Sequence, residues 1–306
     1  MTTRWITLAP AQYHWELPKD ITLPFKIGKD ILFGEFPDWV RTEDFLNLVC
    51  PSFRDEFNER KFCITVEYEA DALGSPDPHW LGKEPRTIQE SALEKIRYVN
   101  FALWLARPTG FSFNTVLHAQ KNDEWLLREL FEVDPLHPLP DYEDIEHTKA
   151  DFELASKLYE SLYGSEIDGT VHIVIQSTIR ALTETGWTLR YLLFWLAVES
   201  LFGTTEDRGE TAYRLSQRVA FFLSDNPEQV RSLFLKVKSG YKWRSNIVHG
   251  MRLSKLTPDK SKDLLLELEG YMRNAMLKVL VDKEIIASFE GKDRESFLDD
   301  LIFAKR

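Results

Sequence analysis

The stretch VDPLHPLPDYEDIEH, from Val133 to His147, divides this chain of 306 residues into two differently patterned parts. It is rich in proline, which disfavours helix, and in acidic residues. It therefore predicts a linker between a mixed α and β domain, residues 1–140, and an all-α helical bundle, residues 141–306. A metal site is the alternative, but no spacing matches a coordination pattern. The side chains concerned are Asp134, His137, Asp141, Glu143, Asp144 and His147.

Upstream of this stretch, strand patterns alternate with a helix. Ile21–Phe36 predicts two strands around a glycine-containing turn, and Lys61–Ala70 alternates like a half-buried strand. Thr87–Ala106 predicts a helix, because Thr87 and Glu90 match a capping box and apolar residues recur at helical spacing. The segments GFSFNTVLHAQ and EWLLRELFEV return to strand patterning. The pattern is typical of an α+β domain.

Downstream, only helical patterning remains, and glycines mark the helix ends. Gly240 is one of them and is predicted to separate two helices. Successive helices with short connections indicate a helical bundle. The predicted helices are Tyr142–Tyr163, Thr170–Thr185, Thr188–Phe202, Glu210–Leu223, Pro227–Ser239, a segment around Trp243–His249, Pro258–Val281 and a short terminal helix within Arg294–Lys305.

Charge is unevenly distributed along the chain. The net charge is −11; residues 1–144 carry 15 basic and 25 acidic residues, whereas residues 145–306 carry 23 and 24. Within the second part, Gln229–Pro258 holds seven basic residues and no acidic one. A local basic stretch in an acidic protein indicates a phosphate-binding surface, although a solvated helix face is the alternative interpretation.

Several classes of protein are disfavoured. The N-terminus lacks the features of a signal peptide, and the longest apolar runs, such as Tyr191–Val198, are too short to cross a bilayer. The two cysteines, Cys50 and Cys63, have no metal-type spacing. Phosphate-loop, dinucleotide, zinc-protease and serine-hydrolase motifs are absent. We expect a soluble cytoplasmic protein without a membrane partner, metal or cofactor.

The segment YKWRSNIVHG, Tyr241–Gly250, carries the chemistry of interest as an R-x4-H motif. Arg244 supplies a charged planar fork that can hold a phosphate, and His249 can move protons near neutral pH. RNA cleavage by the neighbouring 2′-hydroxyl needs these two functions. On a regular helix the two residues lie roughly 140° apart, whereas Ser245 and His249 share a face. The structural alternative is that Arg244 pairs with an acid and His249 ends a helix.

The surroundings of the motif resemble a known family. FWLAVESLFG (Phe194–Gly203), ETAYRLSQRVAFFL (Glu210–Leu223) and YKWRSNIVHG are similar in order and spacing to the ApeA-like HEPN domain. The resemblance covers roughly residues 145–285, about half the chain. Residues 1–140 match no family and are expected to form a regulatory or sensor domain.

The resemblance implies an all-α bundle that dimerises and places two motifs at a shared cleft. Active members are metal-independent RNA endonucleases, many of them toxins or antiviral effectors. Arg244 would bind the scissile phosphate and His249 would act as general acid and base. Ser245 and Asn246 would support them by hydrogen bonds. Met251 replaces the tyrosine that is modified in some members, which disfavours that form of regulation.

Further charged residues are candidates for the same site. Glu199 lies in an otherwise apolar segment, and a buried carboxylate needs a partner. A pair between Glu199 and Arg244 would belong to the site of the R-x4-H motif, whereas a pair between Glu199 and Arg214 or Arg218 would be purely structural. Other basic residues would add nonspecific RNA affinity or be surface charges. The RNA-binding candidates are Lys238, Lys242, Arg252, Arg214 and Arg218.

Two alternatives to a nuclease remain open at this point. One is a catalytically silent HEPN module that binds RNA or a protein partner, and the other is a dimerisation scaffold without RNA affinity. The acidic N-terminal domain would recognise a trigger, occlude the cleft by mimicking nucleic-acid charge, or contact a protein regulator.

Overall fold

The computed structural model describes residues 3–12, 17–77, 86–137, 139, 145–164, 167, 169–204, 211–250 and 256–303. The chain forms two compact units, Met1–Glu166 and Ile167–Arg306. The division between them comes later than the boundary predicted between residues 140 and 141. The predicted linker is also more than a spacer, because its Leu136, Leu139 and His147 are buried. His147 Nε2 lies 3.3 Å from the Leu103 carbonyl oxygen within the first unit.

The first unit contains a six-stranded antiparallel sheet with the order β2-β3-β4-β1-β5-β6. The predicted hairpin and the strands after it are confirmed, but the central strand β1 was not predicted. It pairs with β4 on one side and with β5 on the other. The strands are β1 (Thr3–Pro10), β2 (Phe25–Lys26), β3 (Ile31–Glu35), β4 (Phe62–Ala70), β5 (Thr115–Lys121) and β6 (Trp125–Glu132).

Different helices cover the two faces of this sheet. Ile6 and Leu8 of β1 pack in one cluster with Phe45 and Phe57, which belong to the short helices that follow β3. Trp5 points to the opposite face and packs against Ile88, since successive side chains of a strand alternate in direction. The helices of this unit are a 3₁₀ turn (Asp38–Arg41), α1 (Glu43–Leu46), α2 (Pro51–Glu59), α3 (Ile88–Ala106) and α4 (Lys149–Gly164).

Helix α3 begins as its sequence indicates. The Thr87 side chain accepts a hydrogen bond from the Glu90 backbone N–H, and the Glu90 carboxylate accepts one from the Thr87 backbone N–H. This capping box satisfies two N–H groups that the first turn leaves without helical partners. Helix α4 packs along α3, which is why it belongs with the sheet rather than with the later helices.

The second unit is helical throughout its described part. Helix α6 lies at its centre and contacts α5, α7, α8 and α9. The predicted helices are confirmed except for their ends, for the two predicted segments that α8 joins into one helix, and for α10, which was not predicted. The helices are α5 (Thr170–Thr183), α6 (Trp187–Phe202), α7 (Thr211–Leu223), α8 (Pro227–Val248), α9 (Pro258–Leu280), α10 (Lys283–Glu290) and α11 (Arg294–Phe303).

The predicted break at Gly240 is wrong, because α8 runs through it. A Cβ atom at this position would lie 3.1 Å from Trp195 Cζ2 on α6. The Tyr191 hydroxyl, also on α6, donates a hydrogen bond to the Gly240 carbonyl at 2.9 Å. Glycine at position 240 therefore allows α8 to pack closely against α6. The cost is the low helix propensity of glycine, which is modest.

The C-terminal end of α6 is capped by a side chain from α11. The Nη2 atom of Arg294 donates to three backbone carbonyl oxygens at 2.6, 3.0 and 2.8 Å. The last carbonyl groups of a helix have no helical partner, and a cation there also complements the helix dipole. The three carbonyl groups belong to Ser200, Leu201 and Gly203.

Candidate functional site at the end of helix α8

The R-x4-H motif spans the end of α8. Arg244 lies in the last turns of the helix, whereas His249 is the residue that caps it. The His249 backbone N–H donates to the Ser245 carbonyl at 3.1 Å. Gly250 follows with φ +67°, the left-handed conformation that glycine adopts readily and that ends many helices. The sequence thus places His249 at an exposed helix end, one turn beyond Arg244.

Glu199 pairs with Arg244, which decides between the partners that the sequence left open. Arg244 Nη2 donates to Glu199 Oε2 at 2.9 Å, and the two side chains are 28% and 23% exposed. Within the described residues this is the only hydrogen bond of the guanidinium group, so its other N–H groups are available to a ligand. Glu199 Oε1 is buried and has no hydrogen-bond partner among the described residues.

Aromatic side chains support this ion pair from the side of α8 that faces α6. The Tyr241 ring packs edge-to-face on Trp195, with 5.4 Å between ring centroids. The Arg244 guanidinium carbon lies 5.6 Å from the Tyr241 ring centroid, a distance that allows a cation–π interaction. Burial raises the pKa of Tyr241, and the Glu199 carboxylate raises it further. The Tyr241 side chain therefore stays uncharged beside the Arg244–Glu199 ion pair.

His249 is not part of this contact network. Its side chain is exposed and makes no hydrogen bond with any described residue. The separation agrees with the roughly 140° that five helical residues introduce. The structure therefore brings Arg244 together with Glu199 and Tyr241, and it leaves His249 open to solvent at the same end of the helix.

The remaining motif residues and the lysines lie around this end. Ser245 and Asn246 are half-buried, and their side chains make no hydrogen bonds within the described residues. Lys242 is exposed. Lys238 is also exposed, with its ammonium nitrogen 5.4 Å from the Tyr213 ring centroid on α7. Arg252 and Met251 fall outside the described residues.

The two arginines of α7 differ sharply from each other. Arg214 is exposed, which is compatible with the predicted RNA contact. Arg218 is only 2% exposed, donates to the Phe202 carbonyl at 3.1 Å and pairs with Asp299 at 3.1 Å. The predicted RNA-binding role of Arg218 is wrong, because its guanidinium group is committed to the end of α6. Binding of an acidic residue, the other interpretation of this arginine, is what the structure shows.

Tyr241 is a site residue that sequence reasoning missed. A signal was present, because Tyr241 precedes Arg244 by three positions and side chains three apart on a helix are neighbours. Trp195 carries no such signal, since only the packing of α6 against α8 brings it to the site. An aromatic residue in an apolar segment gives no indication of which neighbour it will support.

An apolar surface adjoins Glu199 on α6. Leu189 and Leu196 are 50% and 46% exposed, and Leu192 and Leu193 between them are half-buried. At about 100° per residue these four leucines and Glu199 share one side of the helix. We call Leu189, Leu192, Leu193 and Leu196 the leucine face. Clustered exposed leucines next to a charged site are a feature of interaction surfaces.

The described residues contain no group of three or more histidine, cysteine, aspartate or glutamate side chains placed to hold a metal ion. None of the described helices is long and apolar enough to span a bilayer. Comparison of the chain with protein-family models, with curated proteins and with solved structures found no match. The ApeA-like HEPN assignment therefore stays a prediction from sequence.

Proposed function

We propose that this chain is a metal-independent RNA endonuclease of HEPN type in which Arg244 and His249 are catalytic. The observation that carries the proposal is the Arg244 guanidinium, held 2.9 Å from Glu199 at a partly exposed helix end. The basic window Gln229–Pro258 and the resemblance to ApeA-like HEPN domains support it. From the same resemblance we propose a role in antiviral defence or as a toxin.

Arg244 would bind the scissile phosphate. Its Nη2 atom is oriented by Glu199, and its remaining N–H groups can donate to two phosphate oxygens at once. During the reaction the phosphorus gains a fifth oxygen ligand and negative charge accumulates on the phosphate oxygens. A guanidinium group held in place before the reaction stabilises that charge without reorganising.

His249 would transfer the protons. As a base, one imidazole takes the proton of the 2′-hydroxyl, whose oxygen attacks phosphorus while the bond to the 5′-oxygen breaks. An imidazolium group protonates that leaving oxygen. The products are a 2′,3′-cyclic phosphate and a 5′-hydroxyl end. Ser245 and Asn246 would donate hydrogen bonds to the substrate, and Lys238, Lys242, Arg214 and Arg252 would add phosphate contacts.

The separation of Arg244 from His249 favours a homodimer in this proposal. Within one chain the two side chains do not share a helix face, so a cleft between two copies would supply arginine and histidine from different chains. The leucine face lies beside Glu199 and supports a surface for such pairing, because its exposed leucines lose contact with water on association.

The test is cleavage of single-stranded RNA and mixed tRNA in EDTA, with product ends mapped. We expect the wild type to produce 2′,3′-cyclic phosphate ends, and Arg244→Ala and His249→Ala to lose roughly 100-fold or more in rate. Arg180→Ala is the matched control for Arg244, because Arg180 is an exposed arginine that lies outside the basic window. His172→Gln on α5 is the control for His249.

The alternative, a silent module that binds RNA, predicts a different result. It gives no cleavage in the wild type and RNA binding that weakens steeply with salt. Equal cleavage by the wild type and both variants would contradict the proposed roles of Arg244 and His249. Growth of cells expressing the wild type or His249→Ala tests the toxin role separately.

A further inference from the structure

The first unit contains a cavity of about 470 Å³ that the proposed nuclease does not use. It lies between strand β4 and helices α3 and α4, and it is also lined by Lys29 and Asp30. The volume is in the range of sites that hold small metabolites. Its lining is mainly charged and aromatic, and it includes two buried polar residues, Ser91 and Lys95.

Two polar groups on α3 reach this cavity without hydrogen-bond partners. Ser91 is 1% exposed, and its hydroxyl is buried with no hydrogen bond within the described residues. Lys95 is 9% exposed, and its ammonium group has an ion-pair partner, Asp30, at 3.7 Å but no short hydrogen bond to a described residue. The two residues are four positions apart and therefore share one side of the helix. Because buried polar groups are nearly always hydrogen-bonded, the Ser91 hydroxyl indicates a missing acceptor, and the Lys95 ammonium group next to it would attract a negatively charged one.

Asp30 is the negative group nearest to Lys95. Its Oδ2 atom lies 3.7 Å from Lys95 Nζ, which allows electrostatic attraction but is too long for a hydrogen bond. The Asp30 side chain is half-exposed, whereas that of Lys95 is nearly buried. Lys95 is thus a cation inside the cavity, and Asp30 is an anion at its edge. Because no hydrogen bond joins them, each can bind the oppositely charged group of one ligand.

Two of the three tyrosine rings that line the cavity are engaged within the protein. The Tyr159 and Tyr163 rings stack on each other with centroids 5.8 Å apart, and Lys95 Nζ lies 5.1 Å from the Tyr163 ring centroid. A Cβ atom at Gly28 would come within 2.4 Å of Tyr159, so the loop packs directly on that ring. The loop at Gly28 and the stacked tyrosines therefore form one closely packed side of the cavity.

The charges around the cavity define the ligand further. Besides Asp30, the acidic residues Glu67, Glu69 and Asp77 line it, against the single exposed cation Lys29, and of these Glu67 is paired with Arg4. An acidic opening disfavours a doubly charged phosphate and favours a positive group at the outer end. Burial raises the pKa of Tyr159, so its hydroxyl stays protonated and can donate a hydrogen bond.

We propose that this cavity binds a small zwitterion of the free amino acid class. The carboxylate accepts hydrogen bonds from Lys95 and Ser91, and the ammonium group donates to Asp30. One net-neutral ligand then replaces the loose Lys95–Asp30 pair by two short charged hydrogen bonds and satisfies the Ser91 hydroxyl. The first unit would thereby be a sensor of a small metabolite, independently of any activity of the helical unit.

The test is calorimetric titration of the full chain with each of the common free L-amino acids. We expect at least one to bind, and its N-acetyl and amide derivatives to bind about tenfold or more weakly, since each derivative removes one charged hydrogen bond. Lys95→Met should weaken binding of that amino acid by about 10- to 100-fold, and Ser91→Ala by about tenfold. Arg97→Met is the matched control on α3, because the Arg97 side chain is half-exposed and does not line the cavity.

Circular dichroism establishes that each variant is folded, and Ser91→Ala removes a hydroxyl with little change in volume if Lys95→Met proves unstable. The proposal is overturned if no amino acid binds the folded wild type, or if Lys95→Met and Ser91→Ala both bind as the wild type does. It is also overturned if the acetylated ligand binds equally well, because the ammonium group would then have no role. A crystal structure determined at a saturating concentration of amino acid that shows only water beside Lys95 and Ser91 would also overturn the proposal.

Discussion

Arg244 and Glu199, 45 residues apart in the chain, meet through a hydrogen bond of 2.9 Å that joins the end of α8 to the last turn of α6. One oxygen of Glu199 is used in this bond, and the other is buried without a partner among the described residues. Leaving a buried carboxylate oxygen unsatisfied costs free energy. The bond to Glu199 thereby fixes the position of the Arg244 guanidinium at a partly exposed helix end.

Glu199→Gln tests this relationship. The amide keeps an acceptor oxygen but removes the negative charge, so we expect Arg244 to be held less firmly and the kcat for RNA cleavage to fall about tenfold, with a smaller change in KM. Steady-state cleavage of a short RNA measures both constants. Glu228→Gln, an exposed residue in the first turn of α8, is the control. Unchanged kcat in Glu199→Gln would show that the pair has no role in positioning.

Two glycine substitutions should have opposite effects on stability. Gly240→Leu forces a side chain between α8 and α6, where Trp195 is 3.1 Å from the Cβ position, and should lower the free energy of unfolding by about 1–3 kcal/mol. Gly270 lies inside α9, and no atom lies within 4 Å of its Cβ position. Gly270→Ala should therefore raise the free energy of unfolding by about 0.5–1 kcal/mol. Urea unfolding measures both. A destabilised Gly270→Ala would contradict the open space at that position.

The buried pair Arg190–Glu269 provides a double-mutant test. Arg190 Nη2 lies 3.1 Å from Glu269 Oε2, and the side chains are 6% and 1% exposed. Glu269→Leu leaves the buried Arg190 charge without its carboxylate partner and should lower the free energy of unfolding by about 3–5 kcal/mol. Arg190→Leu/Glu269→Leu should recover most of that loss, because no charge remains to be desolvated. Additive effects of the two single changes in urea unfolding would refute the coupling.

Two buried histidines make the first unit sensitive to acid. Burial lowers the pKa of His118 and of His147 to about 4. An unfolded histidine has a pKa near 6.5, so between these values the unfolded chain binds more protons, and stability falls as the pH falls. The loss at pH 5 should be about 2 kcal/mol for each histidine. Urea unfolding at pH 7.5 and pH 5 measures it, and His118→Gln should show about half of the pH-dependent loss of the wild type.

The leucine face predicts the oligomeric state. Leu189→Lys and Leu196→Lys place charges on that face and should convert a homodimer into a monomer, since burying an unpaired ammonium group opposes association. Light scattering after size-exclusion chromatography measures the mass. Leu235→Lys on α8 is the control, because Leu235 is 56% exposed and lies outside the leucine face. A wild type that is monomeric at all concentrations would refute the dimer.

The features that the sequence predicted correctly depend on local interactions. The Thr87–Glu90 capping box and the hairpin of β2 and β3 are short-range, so a few neighbouring residues determine them. The helices of the second unit follow from a period of 3.6 and from glycine or proline near their ends. In the candidate site, the exposed helix end at His249 follows from Gly250 for the same reason.

The features that were missed depend on packing between distant segments. Gly240 is compatible with a helix end or with a close helix contact, and only Trp195 on another helix decides between them. Arg214 and Arg218 are equivalent in the sequence, yet Arg218 turns inward because the end of α6 offers a carbonyl oxygen to it. The stretch from Val133 to His147 has the composition of a linker, but the fold buries its Leu136 and His147.

The capping of α6 by Arg294 makes the last turn of that helix depend on residues near the end of the chain. A protease that cut between α10 and α11 would remove the donor of three hydrogen bonds and leave the carbonyl groups of Ser200, Leu201 and Gly203 exposed. The same turn carries Glu199. Trimming of the C-terminus would therefore loosen the carboxylate that holds Arg244 while leaving every residue of the R-x4-H motif intact.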